Sequence, residues 1–312
     1  MTNSINQIQE LLHRKSDLAT RLSLLAYSGT PEIKLRKDNK YLYIRKRELG
    51  KITSTYIGPY SIELFNSVSL ICKEYRNISR ELKKIEHELA NLGYKESELE
   101  PKVILNIEFG RVNLKQNIYN QAILEGVGTT IIQTETIMNN GKVSGMKPDD
   151  IQKIVNLKHA WEFILDNDVV AYPTSYYLSS YIAKLVNEGF YADGGNIRGV
   201  PVVIGKSSYI PPIPNEADVK NGIDSIIHSG EPAIDISIKL MLYVMKTQIY
   251  NDGNKRTGVI LANHVLISKG EGLIVIPEKL VPAFKKHLVN YYENKDNKII
   301  DFLKDKCWNK LK

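Results

Sequence analysis

The sequence predicts a mainly α-helical chain: an N-terminal helical hairpin carrying a small β-ribbon, followed by a larger helical domain with one short hairpin embedded in it. Three observations predict this. Apolar residues step by threes and fours over residues 5–26 and again over 61–93. Between those segments, Tyr and β-branched residues flank a Gly-containing turn. From about residue 100 helical periodicity dominates, broken once by an apolar run bounded by Gly and Pro.

In the first helix Ile8, Leu11, Lys15, Leu18, Leu22 and Leu25 mark the repeating face. In the second, Ile71, Tyr75, Ile78, Leu82, Ile85, Leu89 and Leu92 alternate steps of four and three, a heptad seam with Gly93 placed to end it. Such helices pair with each other or across a homodimer, and an intramolecular antiparallel hairpin is favoured. The ribbon covers about 40–57, with Glu48-Leu49-Gly50 as its turn. Further helices are expected over 112–125, 148–166, 174–188, 216–229, 233–250, 255–269 and 279–304, with Asp149, Thr174 and Asn254 at N-cap positions. Asn196–Gly205, followed by Ser207–Pro212, reads as the embedded hairpin. The expected domains are therefore 1–99 and 100–312.

The composition, 43% hydrophobic and 25% charged with 12 Pro, is that of a soluble globular protein. The net charge of +7 is concentrated between Pro31 and Tyr60, where eight basic residues face three acidic ones. That patch, at Lys34–Lys51, suits nucleic acid phosphates and bases; the plainer reading is a solvated ribbon capping the coiled coil. Two cysteines without metal-ligand spacing, an N-terminal segment without a signal-peptide core, and no apolar stretch of spanning length give the expectation of a cytoplasmic protein with no membrane association.

The chemistry concentrates in Gln248-Ile249-Tyr250-Asn251-Asp252-Gly253-Asn254-Lys255-Arg256-Thr257-Gly258. Asp-Gly forces a tight turn, after which a helix begins. Free N–H groups at that helix start, beside Lys255 and Arg256, form an anion cradle. Asp252 is a hard oxygen ligand placed to hold a Mg²⁺ bridging phosphates. The same features also suit an ordinary helix–turn–helix with a well-capped second helix.

Asp252 to Gly258 resembles the signature of the Fic/Doc family, His-x-Phe-x-Asp-Gly-Asn-(Gly or Lys)-Arg, with Tyr250 in the aromatic position. Gly199 to Pro212 resembles that family's flap hairpin, and Gln121–Gly126 resembles its inhibitory-helix motif. Over about residues 105–290 the resemblance implies a Fic-type helical core, with an inhibitory helix at about 112–126. It implies a protein nucleotidyltransferase, moving AMP from ATP, or a group from another nucleotide, to a Ser, Thr or Tyr hydroxyl of a target protein docked on the flap. By the same resemblance Asp252 holds Mg²⁺, Gly253, Asn254, Lys255, Thr257 and Asn263 border the nucleotide, Arg256 contacts the outer phosphates, and Glu125 with Gly126 regulates.

Three departures qualify this. Gln248 occupies the catalytic histidine's place, and a carboxamide takes no proton near neutral pH. His264 is the nearest histidine in sequence, and its plain reading is a packed helix residue. Val259 stands where many members have a second Arg, so Glu125 lacks its usual partner and would turn to Lys255 or Arg256. Gln121 replaces the usual Ser or Thr. The functions in play are a transferase with an altered base, a nucleotide-sensing pseudoenzyme, and a nucleic-acid-binding regulator led by the ribbon.

Overall fold

In the computed structural model, residues 2–36, 38–48, 51–92, 94, 99–205 and 207–311 are described. The chain divides into two compact units, Met1–Lys95 and Glu96–Lys312.

The first unit contains helix α1 (Thr2–Leu24), strands β1 (Thr30–Arg36), β2 (Asn39–Glu48) and β3 (Lys51–Pro59), and helix α2 (Ile62–Asn91). Ser61 caps α2 by accepting a hydrogen bond from the Leu64 N–H, and Glu63 complements the helix dipole in the first turn. Along α2 the buried side chains include Ile78, Ile85 and Leu89, all on the expected heptad seam. The two helices run antiparallel: Arg14 of α1 pairs with Glu81 of α2, while Tyr27, just past α1, and Leu64, at the start of α2, pack on the same apolar cluster. Gly93 and the Leu49-Gly50 turn lie outside the described residues.

The ribbon differs from expectation by one strand. β1, β2 and β3 form an antiparallel meander, with Lys34 opposite Tyr41 and Tyr43 opposite Tyr56. The extra strand begins Thr30-Pro31-Glu32, and its Ile33 and Leu35 are exposed. It therefore lacks the alternation that marks a half-buried strand, and proline is tolerated because the strand is an edge. One sheet face is apolar: Leu42 and Ile44 pack on Val68 and Cys72 of α2.

The second unit runs α3 (Pro101–Val112), α4 (Leu114–Leu124), α5 (Ile131–Met138), α6 (Pro148–Ile164), α7 (Asn167–Val170), α8 (Tyr176–Val186), α9 (Glu216–Ile227), α10 (Ala233–Thr247), α11 (Asn254–Lys269), β4 (Leu273–Ile274), α12 (Val281–Tyr292), α13 (Lys298–Lys306) and β5 (Trp308–Asn309). Helices α3, α5 and the four-residue α7 were not expected from the sequence. α5 is short, eight residues, and is nucleated by a capping box between Thr130 and Gln133. The expected 279–304 helix is two, broken where Asn294 adopts φ 56°. The 233–250 helix stops at Thr247 because Gln248 turns left-handed. The expected N-caps shift by one or two residues. Lys147 precedes Pro148 at the start of α6, Ser175 rather than Thr174 caps α8, and Gly253 rather than Asn254 precedes α11. No helix among the described residues is long and apolar enough to cross a membrane.

α11 is the axis of this unit. Thirteen of its sixteen residues are buried, so it is enclosed all round rather than along one stripe, and its polar side chains must find partners inside. Gly258 permits its close packing on α10: a Cβ there would lie 3.0 Å from the Met241 carbonyl oxygen. Two buried asparagines clamp the strand that follows. Asn106 of α3 exchanges two hydrogen bonds with the Gly272 backbone, and Asn263 of α11 does the same with Ile274.

His264, also on α11, is a core residue. Its Nε2 faces the Val169 carbonyl at 3.1 Å, and its Nδ1 lies 2.8 Å from the Thr174 hydroxyl. Nε2 therefore carries the proton, and Nδ1 accepts a hydrogen bond from the Thr174 hydroxyl. Burial lowers the ring's pKa from 6.5 to about 4. Because the folded state resists protonation that the unfolded state accepts, this contribution is complete above about pH 6.5 and is lost as pH falls toward 4. Acidification across that window should cost about 3 kcal/mol. Urea denaturation of the wild-type protein and of His264→Gln checks this: the variant should show a flatter pH dependence, by about one proton, between pH 4 and 6.5.

Candidate active site

The loop between α10 and α11 is held from inside. Gln248 has φ 49° and ψ 60°, a left-handed conformation that costs a non-glycine residue about 1 kcal/mol. The surroundings fix it. Its carbonyl accepts from Arg198 Nε at 2.5 Å, its Nε2 donates to the Met245 carbonyl at 2.5 Å, and its Oε1 accepts from Asn254 Nδ2 at 3.2 Å. Tyr250 is fully buried with its hydroxyl 2.7 Å from Ser179 Oγ, and burial raises its pKa. The Tyr250 side chain therefore anchors the loop.

Asn254 is turned inward, not toward solvent. Its Oδ1 accepts from the Tyr250 N–H at 2.9 Å, and its Nδ2 donates to the Tyr250 carbonyl at 2.7 Å as well as to Gln248. The expected role of orienting phosphate oxygens is thus replaced by that of a loop clasp, since the side chain's polar atoms already have protein partners. A consequence follows for the first turn of α11, whose amide hydrogens receive no side-chain cap. Those N–H groups have no intrahelical acceptor and remain available to an anion. Gly253 makes the turn possible: it has φ 74°, and a Cβ there would lie 2.9 Å from Asn187 Oδ1.

Arg256 is 1% exposed. Its Nη1 donates to the Val186 carbonyl at 2.5 Å and its Nη2 reaches Asp252 Oδ2 at 3.1 Å and Asn187 Oδ1 at 3.4 Å. Its Nε lies 3.7 Å from Glu125 Oε2. Asn187 also donates to the Asp252 and Gly194 carbonyls, so one amide fixes both the arginine and the turn. Beside this group, Lys255 Nζ lies 3.2 Å from Glu125 Oε1. The carboxylate of Glu125 therefore sits between both cations of the cradle, the partners left to it once Val259 is apolar. Gly126, at φ 81°, ends α4 just after it, and the Val127 N–H returns to the Ala122 carbonyl. Gln121 extends the contact: its Nε2 donates to the Arg256 carbonyl at 2.9 Å, and its Oε1 accepts from Trp161 Nε1 at 2.7 Å. The substitution of Gln for Ser or Thr thus fits a longer reach, tying α4 to α11 and α6.

Asp252 is half exposed at 50%, the accessible carboxylate of the loop. Among the described residues no cluster of three His, Cys, Asp or Glu side chains forms a metal cage. The donor set therefore fits a Mg²⁺ that arrives with phosphate oxygens as its other ligands. Two expected nucleotide contacts are corrected. Thr257 is fully buried inside the helix packing, and Asn263 is fully buried with its amide committed to Val259 and Ile274. Neither side chain reaches the cradle.

The flap also differs from expectation. The described residues of 199–212 form no strand; among the described residues nearby the pairing is a single bridge between Ile197 and Tyr250. Pro201, Pro211 and Pro212 remove backbone donors, and the segment is instead drawn together by Arg198. That guanidinium, 1% exposed, donates to the Val200, Pro211, Pro212, Thr247 and Gln248 carbonyls. A second tether is Glu293, which accepts from the Ser208 N–H at 2.7 Å and from its hydroxyl at 2.9 Å. The hydrogen bond from Lys295, and after it those from Ser208, lower the Glu293 pKa to about 2. Arg198, Asn187 and Trp161 were missed from the sequence. The available signal for Arg198 was a lone cation inside an apolar, glycine-flanked run.

Replacing Arg198 by Ala orphans five carbonyls and should cost at least about 2 kcal/mol in urea denaturation. Limited proteolysis of the native protein should then cut first within 199–212, and Arg198→Lys, with its compact ammonium, should be intermediate.

Residues 175–266 match the Fic/DOC family, and residues 5–65 match a domain of unknown function, DUF6788. No curated protein matches the chain. Among solved structures, Fic-1 from C. elegans is similar at TM-score 0.53 and 17% identity, over 77% of this chain and 73% of that one. A Fic family protein from Desulfovibrio desulfuricans is similar at TM-score 0.51 and 14% identity, over 67% and 73%. A Fic domain containing signaling protein from Bacteroides thetaiotaomicron is similar at TM-score 0.51 and 16% identity, over 62% and 75%. The chain thus has a mainly α-helical Fic-type fold, and the loop, the flap and most of the helix that the loop opens lie within residues 175–266, the segment that matches the Fic/DOC family.

Proposed function

We propose that the chain binds a nucleoside triphosphate, ATP in the simplest case, at the start of α11 and transfers its AMP slowly to a protein hydroxyl. The observation that carries this reading is the uncapped first turn of α11 beside an exposed Asp252 and Lys255. Backbone donors and a cation suit phosphate oxygens, and the carboxylate suits the metal that accompanies them. Mg²⁺, held by Asp252 together with the phosphates, would supply charge neutralisation.

In the transfer a target hydroxyl oxygen forms a bond to the α-phosphorus while the bond from that phosphorus to the bridging oxygen breaks, releasing pyrophosphate. The target segment lies along the flap, where Val203 and Ile210 offer exposed apolar side chains. The hydroxyl proton has no acceptor on Gln248, whose carboxamide oxygen is already engaged by Asn254. It passes to solvent or to a phosphate oxygen. Lacking a positioned base lowers the rate by about 10²–10⁴. Glu125 opposes phosphate entry, because its carboxylate occupies Lys255 and approaches Arg256.

A second reading, a sensor that binds without transfer, is favoured by the engagement of both ends of the Gln248 amide. Calorimetry with ATP and Mg²⁺, combined with radiolabelling from the α-phosphate in the presence of lysate, separates the two. Glu125→Ala should tighten ATP binding by roughly tenfold, about 1.4 kcal/mol for one opposing carboxylate. Asp252→Ala should abolish the Mg²⁺ dependence. Gln248→His should raise labelling by about 10²–10⁴. Absence of ATP binding, even in Glu125→Ala, would overturn both readings, and binding without labelling in Gln248→His would leave the sensor.

A further inference from the structure

The meander of the first unit has one face that the packing with α2 does not use. Cross-strand partners point to the same side of a sheet, so the register assigns the faces. Leu42 and Ile44 point to α2. On the opposite face lie Tyr41, Tyr43 and Tyr56, where Tyr43 is directly across from Tyr56. The ring centroids of Tyr41 and Tyr43 lie 6.0 and 5.5 Å from that of Tyr56, and Tyr56 is 51% exposed.

The cations are arranged on the same side. The register places Lys34 and Arg36 of β1, and Arg45 and Arg47 of β2, on the tyrosine face, with Glu32 as the carboxylate among them. Lys34 Nζ sits 4.8 Å from the centre of the Tyr43 ring and the Arg36 guanidinium carbon 5.9 Å. Arg36, Asn39 and the three tyrosines line an open cleft of about 630 Å³. Aromatic rings flanked by cations therefore occupy one continuous surface, which a merely solvated ribbon does not require.

We propose that this face binds single-stranded nucleic acid. Unpaired bases stack on Tyr56 and Tyr41, and Lys34, Arg36, Arg45 and Arg47 follow the phosphates. A duplex keeps its base faces stacked inside and offers these rings nothing to stack on, so the single strand is the occupant that uses both features. The four cations predict a binding constant that falls with salt, with a log–log slope of about −2 to −3.

The test is fluorescence anisotropy of the full-length protein with a labelled mixed-sequence oligonucleotide as single-stranded DNA, as single-stranded RNA and as duplex DNA, at several salt concentrations. The expected result is that at least one single strand binds more tightly than the duplex. Tyr56→Ala, at an exposed ring, should weaken that binding about 5- to 150-fold with little change in the salt slope. Arg45→Gln/Arg47→Gln should lower the slope toward half. Three results would each overturn the proposal: no binding at low salt, duplex bound as tightly as single strand, or Tyr56→Ala without effect. Circular dichroism of each variant confirms that the fold is retained, and Tyr41→Ala provides a second stacking variant should Tyr56→Ala fail to fold.

Discussion

A guanidinium with 1% of its surface exposed must be surrounded by acceptors, and the loop is organised around meeting that demand for Arg256. The Val186 carbonyl ends α8 at the arginine, Asn187 follows it, Asp252 is turned back onto it, and Glu125 approaches from α4. The same Asn187 amide holds the Asp252 carbonyl, and the absence of a side chain at Gly253 gives it room. Removing any one partner leaves a buried charge less compensated than before. The turn, the ends of α8 and α4, and the direction in which α11 sets out are thus coupled through one side chain.

That coupling gives the cradle its electrostatic character. The first-turn amides of α11 and Lys255 present positive potential, while Glu125 answers part of it from within. A phosphate approaching the loop meets donors that are free and cations that are already paired. On the proposed nucleotide reading, binding requires displacement of one carboxylate rather than creation of a site. Gln121 makes that displacement costly to propagate, because the α4 backbone is bonded through it to the Arg256 carbonyl and to Trp161. Side-chain rotation of Glu125 is a smaller change than movement of the helix.

How much of this was legible follows from the range of each interaction. Asp252, Gly253 and Lys255 act through local turn geometry and charge, and their sequence order alone marks them. The heptad seam of α2 is likewise local, and Ile78, Ile85 and Leu89 are buried along it. Arg198 was not legible, since its acceptors lie up to fifty residues away and on both sides of the flap. Asn263 misled for the reverse reason. Its resemblance to a family position implied a ligand contact, whereas its partner Ile274 comes from a two-residue strand too short to leave a periodic signal. The strand β1 escaped because its side chains do not alternate in burial.

Gln248 brings these threads together. Its backbone is held left-handed between Arg198 and the α10 end, and its side chain bridges Met245 and Asn254. An imidazole is shorter than the extended carboxamide and could not bridge both partners in the same way, while the carboxamide donates at one end and accepts at the other. The residue that lacks the proton chemistry is therefore structurally well matched to its position. It stiffens the loop that presents the amides, so the arrangement favours holding an anion over moving a proton. Any transfer here must draw on positioning and charge stabilisation, terms supplied by the α11 amides, Lys255 and Asp252, and not on a base at residue 248.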